Sequence, residues 1–93
     1  QLSGPIPVEL KSLQQLRKLH LWNNKLTEGI PSDLGQLKNL QQLYLNSNAL
    51  TGTIPSSLGE LSNLKLLTFE RNQLTGKLPP ELGGLVAIFI RLD

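Results

Sequence analysis

The chain repeats one pattern of apolar and polar positions three times in succession. Residues 37–60, LKNLQQLYLNSNALTGTIPSSLGE, are preceded by a copy at 13–36 and followed by another at 61–84, with no insertion between them. Leucine, asparagine and proline return at the same places in each copy, as in the columns Leu19/Leu43/Leu67, Asn24/Asn48/Asn72 and Pro31/Pro55/Pro79. Self-similarity at a fixed period of this length predicts a solenoid, in which each repeat buries its apolar edge against its neighbours.

Partial repeats flank the three full ones. Residues 1–12 match the second half of a repeat, and residues 85–93 begin a further one. We therefore interpret 1–93 as a single domain of about four repeats. Terminal repeats of such arrays normally carry atypical polar caps. Because none is evident here, we expect the chain to be a piece of a longer array or to have its ends covered by another chain.

The first half of each repeat predicts a strand and a turn. Polar and apolar residues alternate at 18–22, 42–46 and 66–70, which is typical of half-buried strands, and these strands should stack in parallel. The side chains predicted to face inward are Leu19, Leu21, Leu43, Leu45, Leu67 and Phe69. An asparagine follows each strand, at Asn24, Asn48 and Asn72. Because its amide both donates and accepts hydrogen bonds, this column can satisfy backbone groups at the turn.

The second half of each repeat predicts an extended segment and a short helical turn. Residues 50–55 read as extended, and Ser56 to Leu61 read as one or two turns of 3₁₀ type, since Gly59 opposes a long α-helix. Ser57 and Glu60 have the spacing of a capping box. We expect a local distortion at Glu28, because the equivalent position holds glycine in the other repeats.

The last repeat departs from the strict period. At a constant spacing Arg91 and Asp93 would point into the core. A slip of one residue restores the alternation. We therefore predict the slipped register, with Ile88, Ile90 and Leu92 inward and Phe89 and Arg91 outward.

These columns combine to L-x-x-L-x-x-L-x-L-x-x-N-x-L-T-G-x-I-P-x-x-L-G, which resembles the plant-type leucine-rich repeat. The resemblance covers nearly the whole chain. It implies an α/β solenoid, a right-handed superhelix with a parallel concave β-sheet and with short 3₁₀ turns and small extended segments on the convex side. Family members include receptor-kinase ectodomains and polygalacturonase-inhibitor-like secreted proteins. The resemblance implies binding of proteins, peptides or small ligands, and a location outside the cell or at its surface as part of a larger protein.

Composition excludes several kinds of chemistry. There are 9 Lys and Arg against 7 Asp and Glu, a balance that does not by itself imply a nucleic-acid partner. The chain has no cysteine and one histidine, so thiolate nucleophiles and multi-histidine metal sites are excluded. No phosphate loop or catalytic triad motif occurs, nor any signal peptide or apolar run of transmembrane length. We expect no enzymatic activity, no cofactor, no nucleic acid and no membrane insertion.

The candidate ligand-binding residues are the outward positions of the three strands. In strand order they are Lys18, His20, Trp22, Gln42, Tyr44, Asn46, Leu66, Thr68 and Glu70, and the flanking column is Asn23, Ser47 and Arg71. Nothing in the repeat requires Trp22 or Tyr44, and exposed aromatic residues are enriched at binding hot spots. The alternative is that His20 and Tyr44 simply form a cross-strand pair on a solvated sheet. The asparagine column is interpreted as structural.

Charge gives a weaker signal. The basic residues Arg17, Lys18, Lys25, Lys65 and Arg71 could attract an anionic partner. Because Glu28, Glu60 and Glu70 interrupt them in the sequence, an ordinary solvated surface is the favoured interpretation.

The leading hypothesis is a non-enzymatic recognition module that binds a protein or peptide through the concave sheet. One alternative is an assembly unit that stacks end to end through apolar ends, formed by Leu2, Ile6 and Leu10 at one end and by Ile88, Ile90 and Leu92 at the other. Another alternative is glycan binding, with a sugar stacked on Trp22. Ice binding is disfavoured, since the His20/Tyr44/Thr68 column is chemically irregular.

Overall fold

The structure is a computed structural model, and it describes residues 2–84 and 89–91. Short strands alternate along the chain with 3₁₀ helices. The strands are β1 (Ser3–Pro5), β2 (Lys18–His20), β3 (Lys25–Glu28), β4 (Gln42–Tyr44), β5 (Ala49–Gly52), β6 (Leu66–Thr68), β7 (Gln73–Leu74) and β8 (Phe89–Arg91). The 3₁₀ helices are Val8–Ser12, Ser32–Gln36, Ser56–Glu60 and Pro80–Gly84.

The strands form two parallel sheets. The order β2-β4-β6-β8 makes the sheet that we call the concave sheet, and β1-β3-β5-β7 makes the convex sheet. In the concave sheet Leu19 lies opposite Leu43, and Leu43 lies opposite Leu67. Equivalent residues of successive full repeats are therefore direct neighbours, as a parallel stack of repeats requires. This confirms the solenoid and the parallel sheet predicted from the sequence.

One continuous core runs through the repeats between the two sheets and the 3₁₀ helices. Leu34 and Leu58 come from the helices, Leu43 and Leu67 from the concave sheet and Leu50 from the convex sheet, and none of these side chains has exposed surface. The inward positions predicted for β2, β4 and β6 are buried, except Leu21, which is partly buried and packs against the core. The leucine columns thus bury each repeat against the next, which is the main source of stability in a solenoid.

The asparagine column joins each turn to the repeats beside it. Asn48 Oδ1 accepts a hydrogen bond from the amide of Leu26 at 3.1 Å. Its Nδ2 lies 2.9 Å from the carbonyl oxygen of Leu21 in the preceding repeat and 3.2 Å from that of Leu45 in its own. Asn72 repeats this arrangement one repeat later, with the Leu50 amide at 3.0 Å and the Leu45 carbonyl at 2.8 Å. These are the hydrogen bonds that the structural role predicted for this column requires.

The residue before each of these asparagines reverses the chain direction. Asn23, Ser47 and Arg71 have φ values of 57°, 59° and 61°, in the left-handed region. A side chain there costs free energy in any residue, least for asparagine. Asn23, Ser47 and Arg71, which flank the candidate site, therefore also form the turns at which the chain leaves the concave sheet.

The 3₁₀ helices begin after proline rather than at a capping box. Pro31 and Pro55 occupy the N-cap positions, and their carbonyl groups accept hydrogen bonds from the amides of Leu34 and Leu58. The capping box expected for Ser57 and Glu60 is wrong, since no side chain caps that helix. Ser57 Oγ instead donates to the carbonyl oxygen of Ser32 in the preceding repeat, at 2.7 Å.

Successive 3₁₀ helices approach each other closely at glycine. A Cβ atom built on Gly35 would lie 2.5 Å from the carbonyl oxygen of Ser57. A Cβ on Gly59 would lie 2.7 Å from the carbonyl oxygen of Glu81. Separations this short between a side chain and backbone cannot be relieved by a rotamer change. The glycine column therefore sets how closely the repeats stack on this side.

Glu28 adopts the backbone conformation of the glycines that it replaces. Its φ is 65°, compared with 82°, 81° and 79° at Gly4, Gly52 and Gly76. The expected distortion of this segment is absent, because β3 still pairs with β1 and β5 in parallel. The replacement of glycine by Glu28 therefore causes backbone strain at that residue and leaves the strand pairing unchanged.

The last strand has the slipped register. Ile90, not Arg91, lies opposite Leu67, and Phe89 lies opposite Leu66. The predicted slip of one residue is confirmed at the level of strand pairing. The predicted inward positions Ile88 and Leu92 lie outside the described residues.

We predict that Asn48→Ala lowers the free energy of unfolding by about 2 kcal/mol or more, because each buried backbone group left without a partner costs about 1–3 kcal/mol. Asn63→Ala is the control. Asn63 is exposed and makes one hydrogen bond, from Nδ2 to the Lys38 carbonyl oxygen, so its replacement should cost less than about 1 kcal/mol. Urea denaturation measures both values, and equal losses would contradict a special role for Asn48.

We predict that Gly35→Ala destabilises the fold by about 1–3 kcal/mol, the usual cost of forcing an extra carbon into a packed interface. The same change at Gly83 is the control, since its Cβ would meet no atom of the described chain within 4 Å. Thermal unfolding should give a lower Tm for the first variant than for the second. A neutral Gly35→Ala would show that the 3₁₀ helices are free to separate.

We predict that Glu28→Gly stabilises the protein by up to about 1 kcal/mol. Removing the left-handed strain returns about 1–2 kcal/mol, and the greater freedom of glycine in the unfolded chain offsets part of it. Glu28→Ala removes the carboxylate but keeps the Cβ atom, so it should give no gain. Chemical denaturation of the two variants separates backbone strain from side-chain contacts, and equal stabilities would argue against strain.

Candidate functional site

The nine candidate residues lie side by side on the concave sheet. Strand pairing places His20 beside Tyr44 and Tyr44 beside Thr68. Beyond the assigned strands, the amide of Asn23 donates to the Asn46 carbonyl and that of Ser47 donates to the Glu70 carbonyl, so the pairing continues to the turn. The sequence-predicted positions therefore form one surface three strands wide, built on the backbone ladder and not on loops.

His20 and Tyr44 are in contact. Their ring centroids are 4.4 Å apart and the ring planes meet at 66°, an edge-on arrangement typical of favourable aromatic pairs. The His20 Nε2 group also donates to Gln42 Oε1 at 3.0 Å. The cross-strand pair considered as the alternative thus exists, and a hydrogen bond links its histidine to Gln42.

Trp22 is the prominent apolar side chain of this surface. It is 49% exposed, at the carboxyl end of the first strand and one residue before the left-handed Asn23. Lys18 and His20 on the same strand are also exposed, whereas Gln42 and Tyr44 are half-buried. An indole that is half covered and held by rigid backbone can bury further area on contact with a partner at little entropic cost.

The third strand offers less accessible surface. Thr68 is only 4% exposed, and its Oγ1 donates to Asn46 Oδ1 at 2.8 Å. Leu66 and Glu70 are half-buried. Thr68 acts mainly to hold Asn46 in place, and the open part of the candidate surface lies on the first two strands. The alternating pattern predicts which side of the sheet Thr68 faces, but it does not show how much neighbouring residues cover it.

A row of cationic and amide side chains along the amino-terminal edge of the concave sheet was not among the candidate site residues. Arg17, Gln41 and Lys65 immediately precede the three strands. The Gln41 amide donates to the Arg17 carbonyl, and the Lys65 amide donates to the Gln41 carbonyl at 2.8 Å. The equal spacing of these residues in the sequence could have revealed this row. Whether this row forms a positively charged surface depends on where the acidic residues lie in the structure.

The residues of 2–84 and 89–91 form no cluster of three His, Asp or Glu side chains that could hold a metal ion. Within the same part of the chain, no helix is long and apolar enough to cross a membrane.

Family models match most of the chain. The model described as leucine rich repeats (2 copies) matches residues 14–58, and a second, described as leucine rich repeat, matches residues 63–85. A search of curated protein sequences gives no significant match.

Solved structures with this fold include plant receptor ectodomains. The leucine-rich repeat ectodomain of the membrane receptor kinase GASSHO1/SCHENGEN3 from Arabidopsis thaliana, in complex with CASPARIAN STRIP INTEGRITY FACTOR 2, is 39% identical with a TM-score of 0.92. The plant peptide hormone receptor RGFR1 in complex with RGF2 is 36% identical with a TM-score of 0.91, and a plant ice-binding protein is 40% identical with a TM-score of 0.94.

These similarities cover nearly all of this chain and a small part of each relative. The alignments include 96%, 99% and 99% of this chain, but only 11%, 16% and 30% of the respective relatives. The matched part of this chain contains the parallel sheet and the 3₁₀ turns that the 24-residue columns predict. The chain therefore belongs to the leucine-rich repeat family, and its repeats are of the plant type.

Proposed function

We propose that this chain is a non-enzymatic recognition domain that binds a peptide or an extended protein segment on the concave sheet. The observation that carries the proposal is the half-exposed Trp22 on the same strand as His20, whose ring contacts Tyr44. The remaining outward side chains of these two strands, Lys18, Gln42 and Asn46, are polar or charged. Aromatic anchors on a rigid polar surface are typical of interaction sites.

The likeness to receptor ectodomains supports the same conclusion. Two of the relatives described above were solved as complexes, one of them as a peptide hormone receptor with RGF2. By the same analogy, we place this chain outside the cell or at its surface, as part of a larger protein. The ligand itself is a matter for experiment, because one fold supports many functions.

The likeness to an ice-binding protein does not favour ice as the ligand. A regular ligand such as ice requires one kind of side chain to recur along a flat face. Here the columns across the concave sheet are Lys18/Gln42/Leu66, His20/Tyr44/Thr68 and Trp22/Asn46/Glu70. Each column changes its chemistry from strand to strand, which suits a ligand that also varies along its length.

The end-to-end alternative uses a different surface. Ile6, expected at an apolar end, is only 2% exposed, and Leu10 is partly buried against the core. Leu2, Val8 and Leu13 are the exposed large apolar residues of this region. Of the residues expected at the other end, Ile88 and Leu92 lie outside the described residues. Self-association therefore depends on side chains that are separate from the concave site, and substitutions can distinguish the two functions.

We predict that the double variant Trp22→Ala/Tyr44→Ala binds peptides at least tenfold more weakly, because the loss of aromatic anchors typically costs more than 1.4 kcal/mol. The probes are peptides selected on the unmodified protein from a displayed library of random short sequences, and affinities are measured by fluorescence anisotropy.

Val8→Ala is the matched control, because Val8 is 47% exposed, nearly as much as Trp22, but lies outside the concave sheet. Its affinities should be unchanged. Equal binding by all three proteins, or loss only in the Val8 variant, would contradict the concave site. Binding of neutral oligosaccharides in place of peptides, with the same dependence on Trp22, would support the glycan alternative.

A further inference from the structure

Folding separates charges that are mixed along the sequence. The basic residues around the first strand are followed in the sequence by acidic ones, a pattern that favours an ordinary solvated surface. In the structure, however, Glu28 lies at the end of β3 in the convex sheet. Arg17 and Lys18 precede and begin β2 in the other sheet. Proximity in the sequence is therefore misleading about which charges share a surface.

The remaining acidic residues nearby already have partners or lie elsewhere. Glu60 Oε1 is 3.3 Å from Lys38 Nζ, and Asp33 Oδ2 is 3.3 Å from Lys11 Nζ. Both pairs involve residues of the 3₁₀ helices, outside the concave sheet. Glu70 lies at the opposite, carboxyl-terminal end of the third strand. Among the described residues, the amino-terminal edge therefore has no acidic residue at its strand and flanking positions.

This edge consists of Arg17, Lys18, Gln41 and Lys65. The hydrogen bonds from the Gln41 amide to Arg17 and from the Lys65 amide to Gln41 place Arg17 and Lys65 two strands apart, or about 10 Å at the usual strand spacing. All three cations are exposed, and within residues 2–84 none of them forms an ion pair. The result is a short row of exposed cations at the amino-terminal edge of the sheet that carries the aromatic residues.

We propose that this edge binds a carboxylate of an acidic peptide, while the neighbouring aromatic residues contact an apolar side chain of the same peptide. This inference rests on the proposed function and specifies its ligand chemistry. Arginine and lysine together can neutralise one or two carboxylates, and the guanidinium of Arg17 can do so with two parallel hydrogen bonds. The Gln41 side chain supplies a neutral donor between them.

Spacing favours a peptide over a compact anion. His20 is three residues along the strand from Arg17, or about 10 Å at the usual rise per residue. An extended peptide covers the same distance in about three residues. The proposed ligand therefore carries an acidic residue about three positions from an aromatic or large aliphatic one. A lone inorganic anion could occupy the edge but would make no use of the aromatic surface.

The test uses a blocked peptide with two adjacent glutamates three positions from a phenylalanine, and the same peptide with glutamines. Each is titrated into isotope-labelled protein while backbone amide chemical shifts are recorded by NMR. The glutamate peptide should shift the amides of Gln41, Gln42, Lys65 and Leu66, and it should bind at least tenfold more tightly than the glutamine peptide. Its affinity should fall as salt is added.

The variant Arg17→Gln/Lys65→Gln should reduce affinity for the glutamate peptide at least tenfold. The matched control is Lys25→Gln/Lys77→Gln, which changes the net charge equally by replacing two exposed lysines, one in β3 and one just after β7. The control should bind as the unmodified protein does. An equal loss of affinity in both variants would mean that overall charge causes the effect, and it would overturn the proposal. Equal affinities of the unmodified protein for the two peptides would also overturn it.

The outcomes separate this inference from the proposed function. If Trp22→Ala/Tyr44→Ala abolishes binding of library-selected peptides while Arg17→Gln/Lys65→Gln leaves the glutamate peptide unaffected, the concave site stands and the acidic specificity is wrong. Tighter binding of an acidic oligosaccharide than of the glutamate peptide, lost in the Arg17/Lys65 variant, would overturn the peptide assignment.

Discussion

The turn between the two sheets is the constraint on which this structure depends. Each repeat must leave the concave sheet through a partly buried bend, where backbone groups cannot all pair with one another. Asn48 and Asn72 solve this by bonding both to their own repeat and to the preceding one. The hydrogen bonds that the backbone groups of one turn need thereby fix the position of the neighbouring repeat. The leucine columns contribute most of the buried apolar area, and the asparagines fix the register in which it is buried.

The surface chemistry follows from that register. Because equivalent residues lie opposite one another, the outward side chains form straight columns across the concave sheet. On the first two strands these side chains are not part of the core, so the packing leaves them free to differ between repeats. His20, Tyr44 and Thr68 occupy one column with three different chemistries. A framework held by invariant buried positions thus presents a variable surface, a combination well suited to recognition.

Much of the fold could be predicted because the same constraints recur in every repeat. The strand positions, the role of Asn48 and the slip that places Ile90 opposite Leu67 all follow from periodicity and alternation. The Ser57 side chain could not be predicted in this way. Its capping-box spacing is a local signal, whereas its actual partner, the Ser32 carbonyl, belongs to the preceding repeat. At Ser57, a contact between repeats replaces the local motif.

The sequence predicted which residues of the candidate site share a face, but it did not predict which charged residues lie near them. Alternation indicates that Trp22 and Tyr44 share a face, but it cannot show that Thr68 is covered or that Glu28 lies in the other sheet. Charges that alternate along the chain become separated when each repeat divides its residues among two sheets and a helix. The spacing of Arg17 and Lys65 in the sequence predicts that they line up, but only the structure shows where the acidic residues lie relative to them.

Native-state hydrogen exchange tests the central claim about the asparagine column most directly. The amides of Leu26 and Leu50 donate to Asn48 and Asn72, whereas those of Leu21 and Leu45 donate within the concave sheet. If the asparagines join the repeats into one cooperative unit, all four amides should exchange with the same free energy of opening, equal to that of global unfolding. Exchange of the Leu26 and Leu50 amides at much lower free energy, while the Leu21 and Leu45 amides stay protected, would contradict this account.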